Sequence, residues 1–353
     1  MNKLLMKKLI AFSILFVIGG LAAHALPKKT SSLEVLPLLA SESKQANRVW
    51  VGTFQLVWND FMDGIIKGPI KFEGYESQLA DALNKQKFKA NQLSEDSYYK
   101  TYGEISPELK DIIEKGIKEK FDETSDILGS IDWTPAPGKY LVYAMLKKDF
   151  KFLTAFDKLK PEKFGKNRTK VNFFGINNDS DAILRNMVHV MFYNSSDDFA
   201  VYIRTQGKDE VYLYRTDDNK TFDRLYSDMF IKKAQFDGKN KFGPEDELKV
   251  PDINLYAMKT FGELTNKVIK NTDGIMISTA VETIEFKMNN EGVKLKSEAA
   301  IATTTSILLP DNDKPRKFHF NDTFVMFLQE SGKNKPYFAL RVQDVDMINK
   351  TGR

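Results

Sequence analysis

Seven consecutive apolar residues, Tyr140 to Leu146 (YLVYAML), stand directly behind a chain break, Asp132 to Lys139 (DWTPAPGK), that carries two prolines and a glycine. A short unbroken apolar run bounded by turn residues reads as a strand buried on both faces, since a strand with one wet face would alternate. Such a strand commits the chain: it must lie inside a sheet that other elements cover above and below.

Material for that cover stands on either side of it. Asn47 to Ile66 (NRVWVGTFQLVWNDFMDGII) is strongly apolar and is expected to be buried. Leu79, Ala82 and Leu83 recur at helical spacing. The clearest helix is SPELKDIIEKGIKEKF, where Ser106 can cap the first turn, Pro107 suits the first helical position, and Leu109, Ile112, Ile113, Gly116 and Ile117 form one apolar face. Downstream, KVNFFGI, NMVHVMF, DDFAVYIRTQ and DEVYLYRT read as strands. TFDRLYSDMF (221–230) reads as a short helix with a Thr cap, and Thr260 and Glu263 in TFGELTNKVI stand at capping-box spacing. Near the end, FVMFLQE, the turn Ser331 to Lys335 and PYFALRVQDV predict a hairpin. Helices therefore crowd the first third and strands the rest, an α+β protein with a largely antiparallel sheet system.

A length of 353 residues allows two domains or one large one, and no shift in composition divides the chain after residue 47. Residues 1–25 read as a signal peptide: a basic start of bacterial type (MNKLLMKK), a short apolar run (LIAFSILFVIGGLAA) and the small-x-small pattern Ala23-His24-Ala25. An uncleaved N-terminal anchor is the alternative. The polar residues 26–46 read as a tether, leaving 47–353 as a single domain, and the expected location is secreted, either periplasmic or extracellular. Cleavage removes Lys3, Lys7 and Lys8 and lowers the formal charge from +4 to +1, so nothing points to nucleic acid or to an anionic membrane, and no integral membrane domain remains.

The chain has no cysteine, which excludes a thiol nucleophile, a disulfide framework and cysteine metal ligands. The mature chain keeps His189 and His319, each inside an apolar strand pattern and read as packed histidines, so no metal site is expected. Asp197-Asp198 and Asp217-Asp218 stand in turn contexts rather than as an acid/base pair. No glycine-rich phosphate loop is present. No catalytic residue is assigned and an enzyme is not the expected reading.

Three segments share an order with a known family. ELKVPDINLYAMKTFGELTNKVIKNTDGI resembles a strand, short helix and approach to a central sheet; VETIEFKMNNEGVKLKSEAAIATTT resembles a strand rising into a loop through Glu-Gly and small residues; KFHFNDTFVMFLQESGKNKPYFALRVQDV resembles a C-terminal hairpin. Together with YLVYAMLKKDFKFLTAFDKLKPEKF they resemble the serpin superfamily, from about Tyr140 to near Met347. The resemblance implies helices packed on a large, mostly antiparallel central sheet with further β-sheets and an exposed reactive centre loop. It also implies a monomeric protease inhibitor whose partner is a serine or cysteine protease and which needs no cofactor, because the catalytic groups belong to the target. Departures fall where the sheet would open. Gly52-Thr53-Phe54-Gln55 stands for the family's Ser-Pro-x-Ser, Tyr143 for its Asn, and Phe150 or Phe152 for its Trp; the hinge lacks the usual alanine run. These departures favour the alternative of a non-inhibitory serpin-fold binding or structural protein of the cell envelope.

An inserting loop needs period-2 side chains, one face that tolerates burial and no interior proline. After Glu291 and Gly292 one face reads Val293, Leu295, Ser297, Ala299, Ile301, Thr303 and Thr305, without charge; Lys294, Lys296 and Glu298 fall on the other, and the first proline is Pro310. Glu291, Gly292, Val293, Leu295, Ser297, Ala299 and Ile301 are thus the candidate hinge. A simple extension of the preceding strand has the same pattern. The scissile region is Ser306, Ile307, Leu308 and Leu309: counting from Gly292 points near Ser306-Ile307 and counting back from Phe320 points near Asn312, while Arg316 would suit a trypsin-like protease.

Overall fold

The computed structural model describes residues 33–125, 127–147, 151–166, 169–291 and 314–344. Its largest sheet has seven strands in the order β1 (Leu33–Val35), β2 (Asn47–Val51), β15 (Phe338–Val342), β14 (Phe324–Glu330), β9 (Asp209–Arg215), β8 (Asp198–Arg204) and β7 (Val188–Ser195). All its neighbours are antiparallel except β1 and β2. A four-stranded sheet runs β13 (Lys317–His319), β10 (Glu247–Pro251), β6 (Thr169–Ile176), β5 (Asp157–Phe164). A second four-stranded sheet runs β11 (Ile253–Thr260), β12 (Met276–Met288), β4 (Lys139–Lys147), β3 (Tyr98–Glu104). The helices are α1 (Thr53–Phe61), α2 (Gln78–Leu83), α3 (Pro107–Phe121), α4 (Ala182–Arg185) and α5 (Phe222–Gln235).

The apolar run that opens the sequence argument is β4, and its two faces enter two different cores. Val142 and Ala144 pack with Phe54, Val57, Trp58 and Phe61 of α1. Leu141, Tyr143 and Met145 pack with Leu109, Ile113 and Ile117 of α3. With a helix on each side, no position of the strand can be polar without a partner, which is why alternation is absent.

Ser106 caps α3 through its hydroxyl, which accepts from the Leu109 amide at 3.2 Å. Ile112 departs from the expected apolar face: it is 58% exposed, because it lies about 100° round the helix from the centre of the Leu109–Ile113–Ile117 stripe. Thr260 and Glu263 do not start an α-helix. Thr260 is the last residue of β11 and a single 3₁₀ turn, Gly262–Leu264, follows. α5 runs on to Gln235, and the Thr221 side chain makes no capping bond; its hydroxyl donates to Asp223 Oδ1 instead. The segment expected to be a tether is in part structural: β1 joins the large sheet, and Val35 and Leu36 are buried.

Candidate functional site

The described chain before residue 292 leaves the sheet β11–β12–β4–β3, from the end of β12. Within it β12 and β4 lie side by side in parallel, with Val281 opposite Tyr143, Glu282 opposite Ala144 and Thr283 opposite Met145. The outer strands β11 and β3 are antiparallel to their neighbours. Among the three strand pairs of this sheet, β4 and β12 form the parallel one.

The residues just beyond β12 are held by the chain around Phe152 and Phe156. Asn290 is buried; its Nδ2 donates to the Phe156 carbonyl at 3.1 Å, and its own carbonyl accepts from the Phe156 amide at 2.9 Å. Glu291 closes a turn by donating its amide to Asn289 Oδ1 at 3.0 Å, and its carbonyl accepts from the Phe152 amide at 3.4 Å. Phe152 and Phe156 are buried edge to face, centroids 4.9 Å apart. Phe152 is thus a buried aromatic whose backbone meets Glu291; Phe150 lies outside the described residues.

The far end is fixed by Arg316. Its guanidinium meets buried Asp246 at 2.7 Å, donates to the carbonyls of Lys239 and Lys241 at 2.5 Å each, and its amide donates to Asp246 Oδ1 at 2.8 Å. A side chain held by that many acceptors is unavailable to a trypsin-like pocket, which removes Arg316 as a scissile residue. Of the candidate hinge, Glu291 alone is among the described residues, exposed on its turn. Gly292, Val293, Leu295, Ser297, Ala299, Ile301, Ser306, Ile307, Leu308 and Leu309 lie outside them.

Under the β4–β12 seam sits the start of α1. Gly52 is its N-cap position, Thr53 Oγ1 donates to Glu282 Oε1 at 2.8 Å, and the Phe54 amide donates to the same oxygen at 3.0 Å. Gln55 faces away, its amide nitrogen bound to Asn59 Oδ1 and the Leu83 carbonyl. Burial pushes the Glu282 carboxyl up to about 8, against the lowering effect of those two hydrogen bonds. Sequence reasoning passed over Glu282. The alternation Ala280, Glu282, Ile284, Phe286, Met288 could have found it, because it sets one carboxyl among four apolar residues on a single face. Tyr143 points to the α3 side instead, 6.2 Å from the Tyr99 ring and with its hydroxyl 3.5 Å from Ser125 Oγ.

His189 stacks on Tyr202 at 4.5 Å, and burial lowers its pKa. His319 Nε2 lies 2.9 Å from Glu247 Oε2; burial is the main cause of its lowered pKa, with Lys249 adding to it. The turn carboxylates each meet a cation: Asp197 and Asp217 meet Arg215, Asp198 meets Lys232, and Asp218 meets Lys220. Among the described residues no group of three metal-ligating side chains is present, and no helix is long and apolar enough to cross a membrane.

No family profile matches the chain, and no curated protein matches it. Solved structures do. The mouse protein-Z dependent protease inhibitor matches at 15% identity over 84% of this chain and 91% of its own, with a TM-score of 0.53. Serpin48 of the insect Tenebrio molitor matches at 12% identity over 85% and 92%, TM-score 0.47. Human thyroxine-binding globulin, complexed with thyroxine, matches at 12% over 68% and 64%, TM-score 0.44. The agreement with the mouse inhibitor over 84% of this chain and 91% of its own, joined to the covered sheet and the β14–β15 hairpin, establishes that this chain has the serpin fold.

Proposed function

We propose that the protein is a protease inhibitor that traps its target by loop cleavage and strand insertion. The observation that carries this reading is the direct parallel pairing of β4 and β12, with β12 ending three residues before the loop that would enter between them. A protease that attacks between Ser306 and Leu309 forms an acyl-enzyme on the new carboxyl end. Insertion of Val293 to Thr305 then carries that ester away before water resolves it. Burial of Val293, Leu295 and Ile301 would each contribute about 1.5–3 kcal/mol, and the new ladder bonds add to that. The target is a serine or cysteine protease, and the site of action is outside the cytoplasm, following removal of residues 1–25.

Mixing the mature protein with elastase-, chymotrypsin- and subtilisin-like proteases tests it. A covalent complex that survives denaturing electrophoresis is expected. Cleavage within 300–312 with neither a complex nor a rise in melting temperature would remove both trapping and insertion.

One observation favours the second reading, a non-inhibitory binding protein. A cavity of about 550 Å³ lies between the 37–40 segment, α1, α5 and the β14–β15 turn, lined by Leu38, Trp50, Phe88 and Tyr226 with Lys87 and Lys335 at its rim. That size and lining suit a small apolar ligand. A thermal-shift screen of small apolar acids tests it, since a ligand of the folded state alone raises the melting temperature; a screen without any stabilising compound counts against it.

A further inference from the structure

Glu282 is 1% exposed, and its two oxygens are treated unequally. Oε1 accepts from Thr53 Oγ1 and the Phe54 amide, whereas Oε2 is buried without a hydrogen-bond partner among the described residues. Of the charged groups that share its face of the sheet, two stand in its own row, and Glu104 of β3 lies further along, opposite Tyr140. Lys259 is opposite on β11, and Lys100 on β3 lies beyond Ala144. Lys100 is taken by Asp60 near the end of α1. From α1 the carboxyl meets Thr53 and the apolar Phe54; the side that α3 covers carries Tyr143 and Val281. Neither lysine contributes to the shift of the carboxyl, whose first cause is burial.

A neutral acid leaves its own proton without a partner there, but a carboxylate with one unsolvated oxygen costs considerably more. We infer that Glu282 is a proton latch on the β4–β12 seam: the neutral acid holds the two strands closed on the N-terminus of α1, and loss of its proton favours an opened seam in which the carboxylate reaches water. The consequence for inhibition rests on the insertion reading; the latch itself does not.

The direction follows from linkage. Burial raises the carboxyl from its ordinary 4.5 to about 8, so between those limits the closed seam binds more protons than an opened one. Closure is therefore favoured at low pH, and the opening equilibrium grows by about tenfold per pH unit as pH rises from 4.5 to 8, then levels off.

Hydrogen exchange of the uncleaved, protease-free protein reads this directly at the amides of Val142–Leu146 and Ala280–Ile284. After correction for intrinsic exchange, protection between pH 6 and pH 8 should fall by about fiftyfold in the wild type and should be flat in Glu282→Gln, which keeps the shape without the titration. A flat wild-type profile, or an equal slope in Glu282→Gln, overturns the latch. Should Glu282→Gln fail to fold, Thr53→Val keeps the carboxyl but removes one bond to its charged form, so the fall in protection should continue to higher pH; an unchanged upper limit overturns the latch. The two readings fail separately: a pH-dependent seam without a covalent complex at any pH sinks trapping and leaves the latch, and a complex with a pH-independent seam does the reverse.

Discussion

Gly52 shows how little room the start of α1 has. A Cβ at that position would lie 2.3 Å from the Phe88 ring. Gly52→Ala must push that ring or the helix aside and is expected to cost about 1–3 kcal/mol of stability in urea unfolding, as overpacking does; a variant as stable as the wild type would show that Phe88 has space to swing. Arg316 presents the opposite case, a charge whose removal leaves a gap. Its partner Asp246 is 4% exposed, so Arg316→Ala strands a buried carboxylate and should cost about 3–5 kcal/mol. Asp246→Asn together with Arg316→Ala should recover part of that loss, and additive losses would count against the pairing. At this scale the sequence was half legible. Ser106 capped as its type and position required. Glu282 could be read as an anomaly on an apolar face, but not its partner: Thr53 stands 229 positions away, and no local rule joins them.

Among the elements, α3 and β4 carry the clearest contrast. Ile117 is fully buried between them and Ile112 stands in solvent. Ile117→Ala is expected to cost about 2–5 kcal/mol through the cavity it leaves, and Ile112→Ser less than about 0.5 kcal/mol. Equal effects would mean that α3 does not seat on the sheet as described. Gly116 belongs to the same contact: a Cβ there would lie 2.3 Å from the Tyr99 ring, so the glycine lets α3 approach β3. The Thr260–Glu263 capping box marks where local signals lose. Thr260 is paired with Val281, and the Phe261 amide already donates to the Ala280 carbonyl at 2.9 Å. With those backbone groups bound by β12, a helix has no free start, and a propensity worth tenths of a kcal/mol yields to the sheet.

For the whole molecule the proposed function turns on the difference between a closed seam and one with a strand in it. If insertion follows cleavage, burial of three apolar side chains amounts to several kcal/mol, and at about 2–4 °C per kcal/mol the melting temperature should rise by about 10 °C or more. Ala299→Arg, which sets an unpaired charge on the face read as buried, should abolish that rise and turn an inhibitor into a substrate; unchanged inhibition would reverse the assignment of the two faces. By itself the sequence determined that β4 is covered on both sides, that α3 has one buried stripe, and that β14 and β15 pair as a hairpin. These depend on periodicity and on capping, which act over a few residues. Only the tertiary structure decided that β12 is the parallel neighbour of β4, that Arg316 is committed to Asp246, and that the buried Glu282 carboxyl meets the start of α1. Those contacts join residues far apart in the chain, and burial, which shifts the titration of Glu282, belongs to the packed molecule and not to any segment of it.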